Sequence, residues 1–250
     1  MGSVAISLIV FACVFGGAVF GMFLRAALPQ NHLSADSRDV VKLGMGLVAT
    51  MSALVLGLLV SSAKTFYDGQ STELTEISAR IVMLDRVLAH YGPETKEARD
   101  LLRGVVVRAI DRIWPQERTR PSEVQPSSGA EVVYDKIQAL SPKDDKQRSL
   151  QAQALSIATG LGQTRWLMYE QRTNSVSKPL LVVLVFWLTV IFSSFGLFAP
   201  RNATVTVALL VSGVSVSGAI FLILEMYTPY SGLIEISSAS LRFALAHLGQ

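Results

Sequence analysis

Charge is what this sequence has least of. Asp, Glu, Lys and Arg make up 16% of its 250 residues, against about a quarter in soluble domains. The deficit is uneven: residues 64–178 hold 17 of the 22 Lys and Arg and 15 of the 19 Asp and Glu, so the remainder is almost uncharged. This excludes a globular enzyme with a greasy core and leaves a membrane protein carrying a charged insert. The formal net charge of +3 is too small to attract nucleic acid, and the signs within the insert are interspersed.

Cysteine and histidine are nearly as scarce. The single cysteine, Cys13, lies inside an apolar run and excludes an intrachain disulfide, a CxxC pair and a cysteine zinc site. His32, His90 and His247 are scattered without metal-ligand spacing. There is no GxSxG, Walker A loop, GxGxxG, HExxH or EF-hand loop. No catalytic residue, metal or cofactor is therefore expected, and no enzymatic role.

Long apolar runs are what the sequence does have. Between Lys42 and Lys64 lie 21 residues, Leu43 to Ala63, with no charge and no proline. A helix of that length rises roughly 31 Å, the thickness of a bilayer's hydrocarbon core. Three further runs match it: Val4 to Leu24, Pro179 to Pro200, and Ala203 to about Glu225. The first lacks the basic n-region of a signal peptide and is too long for one, so it reads as a retained span. Position 6 is Ile where N-myristoylation requires Ser or Thr.

Between spans two and three the pattern is helical and amphipathic. Leu74, Ile77, Ile81, Leu84 and Leu88 keep the three-four rhythm, opposite Glu73, Glu76, Arg80, Asp85 and Arg86. The second span thus continues as an amphipathic helix to about His90, where Gly92-Pro93 breaks it. A helix from about Pro93 to Ile113 follows, then a proline-rich exposed loop to Gly129, a short helix near 130–140, and a long one from about Lys143 towards Lys178. Its apolar positions are Leu150, Ala154, Ile157, Leu161, Trp166 and Met168. The predicted fold is all-α: a polytopic membrane protein with four transmembrane helices and a helical soluble insert. Its segments are 1–63 (spans one and two), 64–178 (insert), 179–227 (spans three and four) and 228–250, an amphipathic stretch along the membrane interface.

Two spans carry small-residue faces. Gly46, Ala49, Ala53, Gly57 and Ser61 recur at spacings of three and four along the second, and Gly17 and Gly21 along the first. In lipid, such faces let another helix approach closely. They fit packing within one subunit or a contact between subunits. The fourth span offers a small and hydroxylated face at Thr204, Ala208, Ser215 and Gly218, with Glu225 a seven-residue step further on. A carboxylate at mid-bilayer costs about 3 kcal/mol on insertion scales, but much less near a span's end. Glu225 therefore reads either as an interfacial residue or as a carboxylate at the mouth of a polar path.

Three stretches carry a family resemblance: Leu43-Gly44-Met45-Gly46-Leu47-Val48-Ala49-Thr50 with Leu56-Gly57-Leu58-Leu59, Phe195-Gly196-Leu197-Phe198-Ala199-Pro200-Arg201-Asn202, and Pro229-Tyr230-Ser231-Gly232-Leu233-Ile234. They resemble the bacterial membrane proteins labelled bestrophin-like, grouped under a domain of unknown function. The label implies kinship to bestrophins, pentameric anion channels with four spans and a helical cytosolic part. The second span lacks the spaced constriction of the bestrophin neck, and the Gly-Asn-Pro element is absent. Pore residues, selectivity and calcium regulation are thus not carried over.

The resulting expectation is a homo-oligomeric ion channel in the bacterial plasma membrane, its path conducting anions in preference to cations. Near the spans, six cations flank the insert side against four on the other, which favours a cytoplasmic insert. The alternative is a membrane-anchored interaction or sensing protein whose insert recruits an unidentified cytoplasmic protein. A small transporter is a third reading, without internal repeats to support it.

Overall fold

In the computed structural model the described residues are 2–29, 34–114, 128–171, 177–200 and 202–250. Among them there are eight α-helices and no strand. These are α1 (Ser3–Ala27), α2 (Ala35–Tyr91), α3 (Lys96–Ile113), α4 (Ser128–Gln138), α5 (Asp145–Gln171), α6 (Lys178–Phe198), α7 (Ala203–Met226) and α8 (Ala239–His247). The proline-rich stretch 115–127, His32 and Asn31 lie outside the described residues.

The helix ends follow local chemistry. α1 stops before Pro29, which disfavours a helical residue ahead of it. Ser34 Oγ accepts from the Ser37 amide at 3.3 Å at the start of α2. Asn202 caps α7, its Oδ1 accepting from the Val205 amide at 2.8 Å. α2 runs unbroken through Lys64 to Tyr91 and ends at Gly92, whose φ of 138° is closed to residues with a side chain. The buried Thr95 then secures the turn, its hydroxyl donating to the carbonyls of Leu88 at 2.6 Å and Gly92 at 2.8 Å.

Four helices, α1, α2, α6 and α7, are long and apolar enough to cross a membrane. The chain divides into two compact units. The first comprises Met1–Tyr67 and Ser175–Thr228. Within it α1 packs on α6 and α7, around Val14, Ala18, Leu184, Leu188, Phe192 and Ile220. α1 and α6 approach to backbone contact. A Cβ on Gly17 would stand 2.8 Å from the Thr189 carbonyl oxygen, one on Gly21 would overlap that of Ser193, and one on Gly196 that of Ala18. The small face of the first span is thus an intrasubunit contact. Cys13, one turn earlier, is exposed.

The second unit comprises Asp68–Asn174 and Pro229–Gln250. α3 packs on α4 and α8, and α4 on α5. Its core takes Leu74, Ile81, Leu84 and Leu88 from α2 and Ala98, Leu102, Val106 and Ile110 from α3. Of the apolar positions along α5, Ala154 and Met168 are buried, whereas Trp166 is exposed. The C-terminal stretch buries Ile236, Leu241, Ala244 and Leu248, leaving Leu233 and Phe243 exposed. It is further tied by Trp114, whose Nε1 donates to the Ile236 carbonyl at 2.9 Å, and by Arg103, which donates to the Leu248 carbonyl at 3.2 Å.

Candidate functional site

The second span is the least covered of the four. Only 11% of its most apolar window is buried, against 28–33% for the others. Its buried positions are Ser52, Leu59 and Ala63, the last two in the apolar core of the first unit. Gly46, Ala49, Ala53, Gly57 and Ser61 are all exposed. A Cβ on Gly46 or Gly57 would meet nothing within 4 Å. Among the described residues these two glycines thus meet no close neighbour, unlike Gly17 and Gly21.

On α7, Thr204, Ala208, Ser215 and Gly218 form an exposed stripe, whereas Glu225 is buried. The expected alignment of Glu225 with that stripe is therefore not a shared surface. The Ser215 hydroxyl donates to the Val211 carbonyl at 2.9 Å, satisfying itself on its own helix. Near the end of α7, Tyr227 stacks on Phe66 at 5.1 Å between centroids, and its hydroxyl lies 3.0 Å from that of Ser62.

At the opposite end of the same unit two arginines answer the carbonyls that end α6. Arg25 donates to the Ala199 carbonyl, and Arg38 to that of Phe198 at 3.0 Å. Cations there complement the negative end of the helix dipole. Beside Arg38 a groove of about 450 Å³ opens between α2, α6 and α7, with Arg38 and Lys42 at its polar end and Met45, Gly46, Ala49, Phe195 and Ala208 along its walls. In the sequence Arg38 and Lys42 are two of the four cations flanking the spans on the side away from the insert. Their four-residue spacing, one helical turn, was the available signal.

In the second unit Asp85 is 1% exposed, which corrects its placement on the solvated face of α2. It stands four residues after Ile81 and three before Leu88, so it shares their side of the helix. Arg99 holds it through two bonds, Nε to Oδ1 at 2.7 Å and Nη2 to Oδ2 at 2.9 Å, and the Gly249 amide donates to Oδ2 at 3.2 Å. Partnership with Asp85 raises the Arg99 pKa, against a smaller opposing effect of burial. Gln70, also buried, accepts from the Tyr230 hydroxyl at 3.2 Å.

Near the Gly92 turn, the exposed Glu94 pairs with Lys143 at 2.6 Å. Its hydrogen bond from Lys143 lowers the Glu94 pKa, and the same bond raises that of Lys143. Depressed on folding, the carboxylate supports the pairing above its unfolded pKa and loses it as pH falls through the lowered value. Burial raises the Tyr91 pKa, and its hydroxyl has no hydrogen-bond partner among the described residues. Among the described residues no cluster of His, Cys, Asp or Glu has the composition of a metal site.

Four apolar helices joined to a helical unit rich in charge define a polytopic helical membrane protein. The family model of the bestrophin-like domain matches residues 12–241. The chain belongs to the bestrophin-like family, and the match takes in α2, α6 and α7 whole, α1 from residue 12 onward, and nearly all of the second unit. No curated protein and no solved structure matches it.

Proposed function

We propose that the protein is a homo-oligomeric ion channel of the bacterial plasma membrane, bestrophin-like and anion-conducting, and not an enzyme. The observation that carries this reading is the second span. In a family named for channels, its five-residue small face is left without cover by the subunit's other helices. Lipid supplies no hydrophobic drive between helices, so a face with this little bulk gains most from close approach of another helix or from lining a water-filled path. The stripe at Thr204, Ala208, Ser215 and Gly218 is the second candidate wall. Glu225, being buried, does not offer its carboxylate to either wall, which removes the main argument for cation selectivity.

Gly57→Leu tests the assembly, because a Cβ added there meets nothing within 4 Å among the described residues. Expression and helicity should match the wild type, while native electrophoresis shows a smaller species. Unchanged size counts against this face. Conduction is tested in planar bilayers under a potassium chloride gradient. The reversal potential should lie on the chloride side and stay there in Glu225→Gln. A cation-selective current weakened by that substitution overturns the anion assignment. Absence of current under voltage, calcium and tension moves the weight to the membrane-anchored interaction protein, whose second unit would then be the part to probe for a cytoplasmic partner.

In this reading the second unit lies on the cytoplasmic side. Single cysteines at Ser34 and Gln138 in a Cys13→Ala background check this, since both sites are exposed. A membrane-impermeant maleimide added to intact cells should label position 34 and spare position 138. Equal labelling of both contradicts the four-span arrangement.

A further inference from the structure

We propose that the groove between α2, α6 and α7 is a binding site for one anionic phospholipid, with its phosphate at Arg38 and Lys42 and an acyl chain along Met45, Gly46, Ala49 and Phe195. The groove has the form such a ligand needs. Its volume of about 450 Å³ lies within the roughly 300–1,000 Å³ usual for ligand sites. One end is cationic, the rest is apolar, and no carboxylate lines it among the described residues.

The cations are positioned by the protein. Arg38 is anchored by its bond to the Phe198 carbonyl at 3.0 Å and lies 6.0 Å from the centre of the Phe198 ring. That bond uses one of its five N–H donors and leaves the rest for a phosphate. Lys42 is paired with Asp39 at 3.3 Å, with both side chains mostly exposed, and such a pair holds its partner weakly. Gly46 gives the chain its room, because a Cβ there would be in open space.

At this cationic end of the second span charge complementarity decides for a lipid over a second copy of this chain, which is left the Ala53, Gly57 and Ser61 end of the small face. The apolar stretches of α1, α2, α6 and α7 hold a single carboxylate, Glu225, and it is buried. A neighbouring span inserted here would cover two cations without neutralising them, whereas an anionic phospholipid supplies both the charge and the chain.

Native mass spectrometry of the purified full-length protein, titrated with dioleoyl phosphatidylglycerol or phosphatidylcholine, tests the assignment and reads binding without reference to current. The wild type should retain one phosphatidylglycerol per chain in preference to phosphatidylcholine, by about fivefold for each cation engaged. Arg38→Gln with Lys42→Gln should bring the two lipids to parity, and the exchanged pair Arg38→Lys with Lys42→Arg should keep the preference. Should loss of the Phe198 bond unfold the double variant, Lys42→Gln alone, which breaks only an exposed pair, should still reduce the preference severalfold. Gly46→Leu should lower retention of both lipids by occupying the chain's place. Equal binding of both lipids by the wild type, a preference untouched by Lys42→Gln, or a photocrosslinker at Met45 that captures a second copy instead of lipid would each overturn the proposal.

Discussion

Gly21→Val is expected to abolish the monodisperse peak of the detergent-extracted protein, while Gly16→Val leaves it intact. The two glycines lie on one helix five residues apart, yet their surroundings differ completely. A Cβ on Gly21 would overlap the Ser193 carbonyl oxygen and stand 2.9 Å from the Leu197 amide nitrogen, whereas one on Gly16 would meet nothing within 4 Å. The obstructing atoms are backbone, so no rotamer change relieves them, and the helices have to separate along their whole contact. Overpacking a core typically costs about 1–3 kcal/mol when side chains yield. With two rigid backbones the loss should reach or exceed the top of that range. Gly196→Val is the reciprocal test, because its Cβ would overlap the Ala18 carbonyl from the other side. It should fail as Gly21→Val does. Fluorescence-detected size exclusion reads all three variants. A normal peak for Gly21→Val means that α1 and α6 do not meet in this register.

Arg99→Ala should destabilise the second unit by about 3–5 kcal/mol, the usual cost of leaving one member of a buried ion pair alone. Asp85 is 1% exposed and draws both of its close cationic hydrogen bonds from Arg99. Without the guanidinium its carboxylate would keep only the weaker Gly249 amide among the bonds described above. The pair also ties down the C-terminal stretch: Arg99 Nη2 donates to the Gln250 carbonyl at 3.3 Å, so α2, α3 and that stretch meet on these two side chains. Asp85→Ala should be nearly as damaging, since Arg99 is itself largely covered, with 20% of its side chain exposed. The double change Asp85→Leu with Arg99→Met should recover much of the loss, because it removes both charges and fills their volume. Thermal unfolding of the detergent-solubilised protein and tryptic release of the C-terminal segment check this. A wild-type melting temperature for Arg99→Ala would show that the buried pair contributes nothing.

Much of the helical plan is legible in the residues. The long uncharged runs between flanking cations gave α1, α6, α7 and the apolar half of α2 within a few residues, since helix length and bilayer thickness are linked by a fixed rise. The rhythm from Leu74 to Leu88 predicted that α2 would run on past Lys64, and Gly92-Pro93 marked where it had to stop. Asp85 departs from the amphipathic pattern because residue type alone assigns a carboxylate to solvent until a partner fourteen positions away is brought beside it. Arg38 and Lys42 were seen as flanking charge because nothing local shows that α6 and α7 leave a groove next to them.

The two glycine faces draw the line between what sequence determined and what tertiary structure decided. Gly17 and Gly21 on one span, and Gly46 and Gly57 on another, offer the same local invitation to close approach. Spacing alone placed each set on one side of a helix, because the helical period is a property of the backbone. Only the packing of α1 against α6 showed that the first face is consumed within the subunit while the second is left open. A missing side chain fixes how near a neighbour can come. Which neighbour comes is set by the paths of helices far apart in the chain, and by the surface those paths leave uncovered.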